Sequence, residues 1–277
     1  IIGMVDSGVA PENPAFSDKV DANGKPVPAQ QAGTVVYAPI GATRTWNGSC
    51  DAGPGINPAV DCNNKLIGAR FFNNGLKGFG LHLTDTEFDS ARDSDGHGSH
   101  TGSTAGGNSG VAAQVGGVAS GEISGMAPRA RIAAYKALWR FKESGDNLAH
   151  GFDSDLVDAI DTAVADGVDV INYSISGTLT NYLDPVEVSF LFANAANVFI
   201  AASAGNSGPA NAVAHMSPWL TTVAASTHDR ALLADATLGN GTVYTGASFQ
   251  TTGAASAPTT VTPLPRGQSG MMLLLLD

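Results

Sequence analysis

Short apolar runs separated by longer polar, glycine-rich stretches set the pattern of this chain. Residues 1–8 read IIGMVDSG, an apolar strand that ends in an acid and then in small residues that turn. Residues 66–72 (LIGARFF), 127–138 (APRARIAAYKAL), 168–176 (VDVINYSIS), 198–202 (VFIAA) and 219–226 (WLTTVAAS) read as further strands. Two helices lie among them. In residues 152–166, Leu156, Ile160 and Val164 recur every four positions, with Asp153 or Ser154 at the cap and Gly167 as the stop. A second helix runs to about Asn194, with Asp184 at its cap, Pro185 at the first helical position and Glu187 placed for a capping box. Strand, helix, strand, helix, strand implies βαβ crossovers, hence an α/β fold: a doubly wound, mostly parallel sheet with helices on both faces. Elsewhere the pattern weakens. Residues 11–27 are polar and broken by Pro and Gly, and the chain stays irregular to about Leu66. Residues 106–122, rich in Gly and Ala, read as loop; beyond Asp229 the periodicity fades, and residues 251–265 read as a linker or the entrance to an insertion.

Composition narrows the choice. A chain of 277 residues suits one large α/β domain or two small ones, and 43% hydrophobic against 14% charged residues predicts a well-buried core. The net charge of −11 disfavours nucleic acid and anionic membrane surfaces as partners. No apolar run approaches the ~20 residues that span a bilayer. Residues 271–276 are too short for that, and an ending at Asp277 reads as a cut through an element. Because the chain opens on Ile, a removed pre- or pro-segment or further upstream sequence is expected. The two cysteines, Cys50 and Cys62, share a loop rich in Gly, Pro, Asn and Asp. That setting reads as a disulfide, not a redox pair or a metal site, and implies an oxidising, extracellular compartment.

Residues 93–105, DSDGHGSHTGSTA, carry the candidate chemistry. A helix capped by Asp95 or Gly96 puts His97 on the first turn, at the rim of the fold, where it meets a substrate more readily than a core. His100 shares that helix face and opens a metal reading. The zinc-protease pattern, however, wants His at i and i+4 with a Glu between. Asp6 sits at the carboxyl end of the first strand, where ligands of open α/β sheets collect. Residues 203–209, SAGNSGP, follow another apolar run and bring Asn206 to the same edge. Acid, histidine and amide in this order, within VDSG, DGHGSHT and SAGNSGP, resemble the subtilisin-like serine protease family. Residues 46–72, with their Trp, both Cys and NKLIGARFF, are similar to a segment of the subgroup that carries an inserted protease-associated domain, plant cucumisin-like enzymes included.

The resemblance implies a secreted, monomeric serine endopeptidase acting on polypeptides, with a propeptide upstream and no cofactor. Asp6 would orient His97, His97 would serve as general base, and Asn206 would donate to the oxyanion. Ser174, Ile175, Ser176 and Gly177 (SISG) match the family's substrate edge, to which an extended peptide adds as a β-strand; from the residues alone they read as an ordinary strand end. The subtilisin-like domain is expected over residues 1–236, incomplete at its C-terminal end, with residues 237–277 a linker or the start of the protease-associated domain. The acids between Asp85 and Asp95 offer a place for calcium but form no motif.

The family's nucleophile lies in a GTSMAxP motif C-terminal to the Asn, and this chain contains none. It has no GxSxG elbow either. GQSG at 267–270 lacks the continuation, and Ser248 in GASF is equally bare. Two classes follow: a serine endopeptidase whose nucleophilic Ser is absent from these residues, or a non-catalytic subtilase-like domain that binds peptides or regulates a partner. Joint retention of Asp6, His97 and Asn206 favours the first.

Overall fold

Six parallel strands form the central sheet of the chain, seen in a computed structural model that describes residues 1–247 apart from 29, 43, 116–118, 211, 228 and 230–232. In chain order they are β1 (Ile2–Asp6), β2 (Leu66–Phe71), β3 (Ile132–Lys136), β4 (Val170–Tyr173), β5 (Phe199–Ser203) and β6 (Thr221–Val223). Their order across the sheet is β6-β5-β4-β1-β3-β2. The chain thus places β2 at one edge, comes back inward with β3 beside β1, then crosses over and builds outward on the other side through β4, β5 and β6. That makes β1 the switch point, and the crevice beyond its carboxyl end is where such sheets hold ligands. Asp6 is the last residue of β1 and lies level with Lys136 of β3.

Alternation along β1 sends successive side chains to opposite faces. Val5 joins Tyr135, Ile171, Tyr173 and Ile200 in a core closed by two helices, α2 (Asp153–Asp166) and α3 (Pro185–Ala195). Met4 joins Phe16, Leu66, Ile132 and Ala134 on the other face. There α1 (His97–Gly106) brings Gly102 against Met4 and Phe16. A helix of small residues is what permits this close approach of α1 to the sheet.

The helix ends partly follow the sequence reading. Gly167 closes α2 at φ 97°, and the amides of Gly167 and Val168 both donate to Ala163 O at 3.2 Å. At the other end Phe152 stands at the cap without a side-chain bond. The nearby acid is spent elsewhere: buried Asp155 accepts from the amides of Gly75 (2.6 Å) and Leu76 (3.1 Å), capping the short helix Asn74–Gly78. In α3, Asp184 accepts from Val186 N at 3.0 Å as expected. Glu187 does not turn back to complete a box; it is buried in contact with His215.

Residues 106–122 differ from the expected loop, because Val111–Val115 and Ala119–Ile123 pair as a two-stranded sheet. Val111 is buried in the core beside Met4, which a pattern dominated by Gly and Ala does not announce. Cys50 and Cys62 form a disulfide with Cα atoms 6.3 Å apart. The loop they brace begins along β2, where Asp51 N donates to Ala69 O (2.8 Å), and just before it Trp46 Nε1 donates to Ile67 O (3.2 Å). Packing divides the chain into two units, residues 1–113 with 122–227, and residues 114–121 with 228–277. Of the second unit the structure describes an antiparallel hairpin, Leu233–Thr237 with Val243–Ala247. Residues 251–265 and 271–276, with Ser248 and Ser269, lie outside the described residues. Among the described residues no helix is long and apolar enough to cross a membrane.

Candidate active site

β1 and α1 meet at the centre of the site. Asp6, 1% exposed, accepts from His97 Nδ1 at 2.7 Å and from its neighbour Ser7 N at 2.7 Å, both on Oδ1, while Thr101 Oγ1 donates to Oδ2 at 2.9 Å. A carboxylate only accepts, so Nδ1 of His97 carries the hydrogen and neutral His97 keeps its free lone pair on Nε2. The bond from Asp6 also holds the His97 pKa above its ordinary value; burial opposes the rise, and the charges of Asp6, Asp95 and Asp93 add to it. His97 keeps 45% of its side chain exposed.

The helix start is capped from a distance. Gly96 stands at the cap position in the left-handed region, φ 96°, and has no side chain to offer. Asp93 does the work instead, accepting from Ser99 N (2.9 Å), Ser99 Oγ (2.6 Å), Gly96 N (2.8 Å), Asp95 N (3.1 Å) and Ser7 Oγ (3.0 Å). Burial alone would raise the Asp93 pKa, but the bonds from Ser99, Gly96 and Ser7 outweigh it and hold the carboxyl below its usual range. Ser7 Oγ in turn accepts from Gly98 N at 2.8 Å. The result is a knot that ties the His97 turn to the end of β1. Gly98 belongs to the same knot: a Cβ there would be driven into the Gly8 carbonyl.

Beside this pair opens a cleft of about 450 Å³ lined by Asp95, His97, Leu156, Ser174, Ile175, Ser176 and Asn206 among others. The structure therefore brings together Asp6, His97, Asn206 and residues 174–176. Gly177 follows on the same segment, exposed, without lining the cleft. His100 lies on α1 away from Asp6 and lines a separate hollow with Asn172 and Met126. Among the described residues no three His, Cys, Asp or Glu side chains gather as metal ligands. The acids from Asp85 to Asp93 each have another partner: Asp85 pairs with Lys142 (2.7 Å), Glu87 with Lys136 (2.6 Å) and Asp89 with Lys77 (3.0 Å), while Asp93 sits in the knot. An imidazole with its tautomer fixed by a buried carboxylate, set at the wall of a cleft with an exposed amide, can take a proton from a bound hydroxyl or water.

Sequence reasoning missed Asp93, although it stands in the motif; its three-residue lead on Gly96 is that of a cap side chain reaching past an unsuitable residue. It also missed the buried pairs Lys136–Glu87 and His215–Glu187, whose partners lie 49 and 28 residues apart.

Residues 1–268 match the sequence profile described as the Subtilase family. Subtilisin-like protease SBT1.6 of Arabidopsis thaliana is 44% identical over 257 residues, covering 90% of this chain and 30% of that protein. SBT1.5 of the same plant is 43% identical over 251 residues, covering 90% and 29%. The chain thus spans about 30% of the length of the curated relatives it matches. Among solved structures, sphericase aligns with 89% of this chain and 57% of its own at 22% identity and a TM-score of 0.45.

Proposed function

The chain belongs to the subtilase family, and from that premise we propose that it supplies the acid, base and oxyanion donor of a serine endopeptidase. Residues 1–236 are read as the corresponding part of the catalytic domain. His97 is the general base, Asp6 fixes its tautomer and steadies the imidazolium that forms, and Asn206 donates a side-chain N–H to the developing oxyanion. An extended polypeptide lies along Ser174–Gly177 by backbone pairing. The nucleophilic serine comes from sequence outside these 277 residues, since no serine here stands in the family's motif. The disulfide suits a secreted protein, because such bonds persist in oxidising compartments.

The observation that carries the reading is the 2.7 Å bond from His97 Nδ1 to buried Asp6, at the wall of a cleft that also presents Asn206. In a hydrolysis reaction Nε2 takes the serine proton as Oγ attacks the scissile carbonyl. It then returns that proton to the leaving amine, and a water repeats the exchange to free the acyl group. Cleavage of an unfolded polypeptide by the protease that carries this chain tests the reading. His97→Ala should abolish cleavage; a variant that cleaves like wild type would remove His97 from the mechanism.

A further inference from the structure

We propose that Glu187 and His215 form a buried brace that positions the peptide edge at Ser174–Gly177, which makes them positioning residues for substrate alignment. The proposal rests on the reading of that edge given above. Both side chains are 1% exposed. His215 Nε2 lies 3.0 Å from Ile175 O, and a carbonyl only accepts, so Nε2 carries a hydrogen that it donates there. Nδ1 donates to Glu187 Oε1 at 2.5 Å, since a carboxylate likewise only accepts. Ser217 Oγ donates to the other carboxylate oxygen, and Trp219 Nε1 donates to the Glu187 carbonyl at 2.8 Å. The carboxylate therefore fixes the imidazole, and the imidazole fixes Ile175.

Main-chain bonds tighten the same link. His215 N donates to Thr178 O at 3.1 Å, and Thr222 Oγ1 donates to His215 O. His215 holds φ 56°, a region that non-glycine residues seldom occupy. Tyr173 and Phe190 meet its ring edge-on at 5.3 and 5.8 Å, and a Cβ on Gly177 would run into the ring. Residues 175–178 are thus held at both ends by one residue, Ile175 through its carbonyl and Thr178 through its own. Ile175 O accepts a second bond from Ser203 Oγ at 3.0 Å, so it has no capacity left for substrate. Ser174, Ile175 and Ser176 line the cleft from this fixed position. A buried ionisable pair is a poor source of stability compared with apolar packing of equal volume. What it adds here is a fixed N–H aimed at one carbonyl of the edge.

The chemistry supplies its own rescue. In Glu187→Gln the amide N–H donates to Nδ1, the amide oxygen accepts from Ser217, and Nε2–H still reaches Ile175. The line of hydrogen bonds survives without the charge. Glu187→Ala breaks it. The test uses the protease that carries this chain and compares p-nitrophenyl acetate, too small to reach the edge, with acetyl-tetrapeptide p-nitroanilides that span it. Glu187→Ala and His215→Leu should raise peptide KM at least tenfold and leave ester turnover within twofold of wild type. Glu187→Gln should return peptide KM to within threefold. Should a truncation fail to fold, Ser217→Ala carries the same test with a threefold rise in peptide KM at unchanged ester turnover. Unchanged peptide KM in these variants overturns the proposal, as does a parallel fall in ester and peptide turnover, or a Gln variant as damaged as the Ala one. Wild-type protein that cleaves the ester and no peptide would refute the reading of the edge. Protein that cleaves neither would refute the peptidase reading itself.

Discussion

Asp6 and His97 differ in exposure, the carboxylate 1% exposed and the side chain of the proposed base 45%. The buried carboxylate stays fixed, while the histidine can meet substrate and solvent. Asp6→Asn keeps the shape and reverses the chemistry: an amide N–H facing Nδ1 selects the tautomer whose Nε2 already carries hydrogen and cannot accept. The expected loss in kcat is roughly 10⁴. The His97 pKa, now held above the ordinary ~6.5, should also fall in this variant, moving the acid limb of the kcat/KM profile to lower pH. A pH–rate profile checks both, and an unmoved limb would mean that Asp6 does not set the base. Stability runs the other way from activity. A raised folded-state pKa stabilises the fold fully below about 6.5, and the contribution is lost as pH rises through the folded value, where His97 gains the lone pair that its proposed role as base requires. For Asn206→Ala, kcat should fall by roughly 10²–10³ with KM nearly constant, the range that loss of one oxyanion donor costs in subtilisin itself. Wild-type kcat in that variant would remove Asn206 from the role.

At the level of elements, the sequence was most legible where an apolar run ends in a polar residue. Asp6 closes β1, Asn206 follows β5 and His97 opens α1, the strand and helix ends at which local patterning placed them. It was least legible where a charged residue serves a distant element. Glu187 sits where a capping box wants it, yet His215 claims it across 28 residues. Asp155 stands in the first turn of α2, yet its side chain caps the short helix Asn74–Gly78. Such choices are decided by packing of the sheet faces, which no window of sequence contains. The disulfide was legible because both cysteines share one loop. Closing that loop, with a sequence separation of 12, is worth roughly 3 kcal/mol in the chain-entropy model. The Cys50→Ser/Cys62→Ser protein should lose about that much in denaturant unfolding, and equal stability would show that the packing of Trp46 and β2 suffices without it.

Across the whole molecule the doubly wound order makes β1 the switch point, and everything the proposed chemistry uses lies beyond its carboxyl end. The sheet face opposite α2 and α3 is unevenly covered. Near β1 it is packed by α1, but Phe199 and Val223 on β5 and β6 remain 51% and 56% exposed. These exposed apolar side chains should let the 277-residue protein bind a hydrophobic dye; fluorescence no higher than that of a well-folded monomer would count against their exposure. In the proposed reading this chain holds the base and its carboxylate, while the nucleophile lies elsewhere. A fluorophosphonate probe, which labels an activated serine, tests it most directly. The purified 277-residue chain should show no labelling, and a protease that carries this chain should show one labelled serine, lost in His97→Ala. Labelling of the 277-residue chain at a single serine, abolished by His97→Ala, would contradict it.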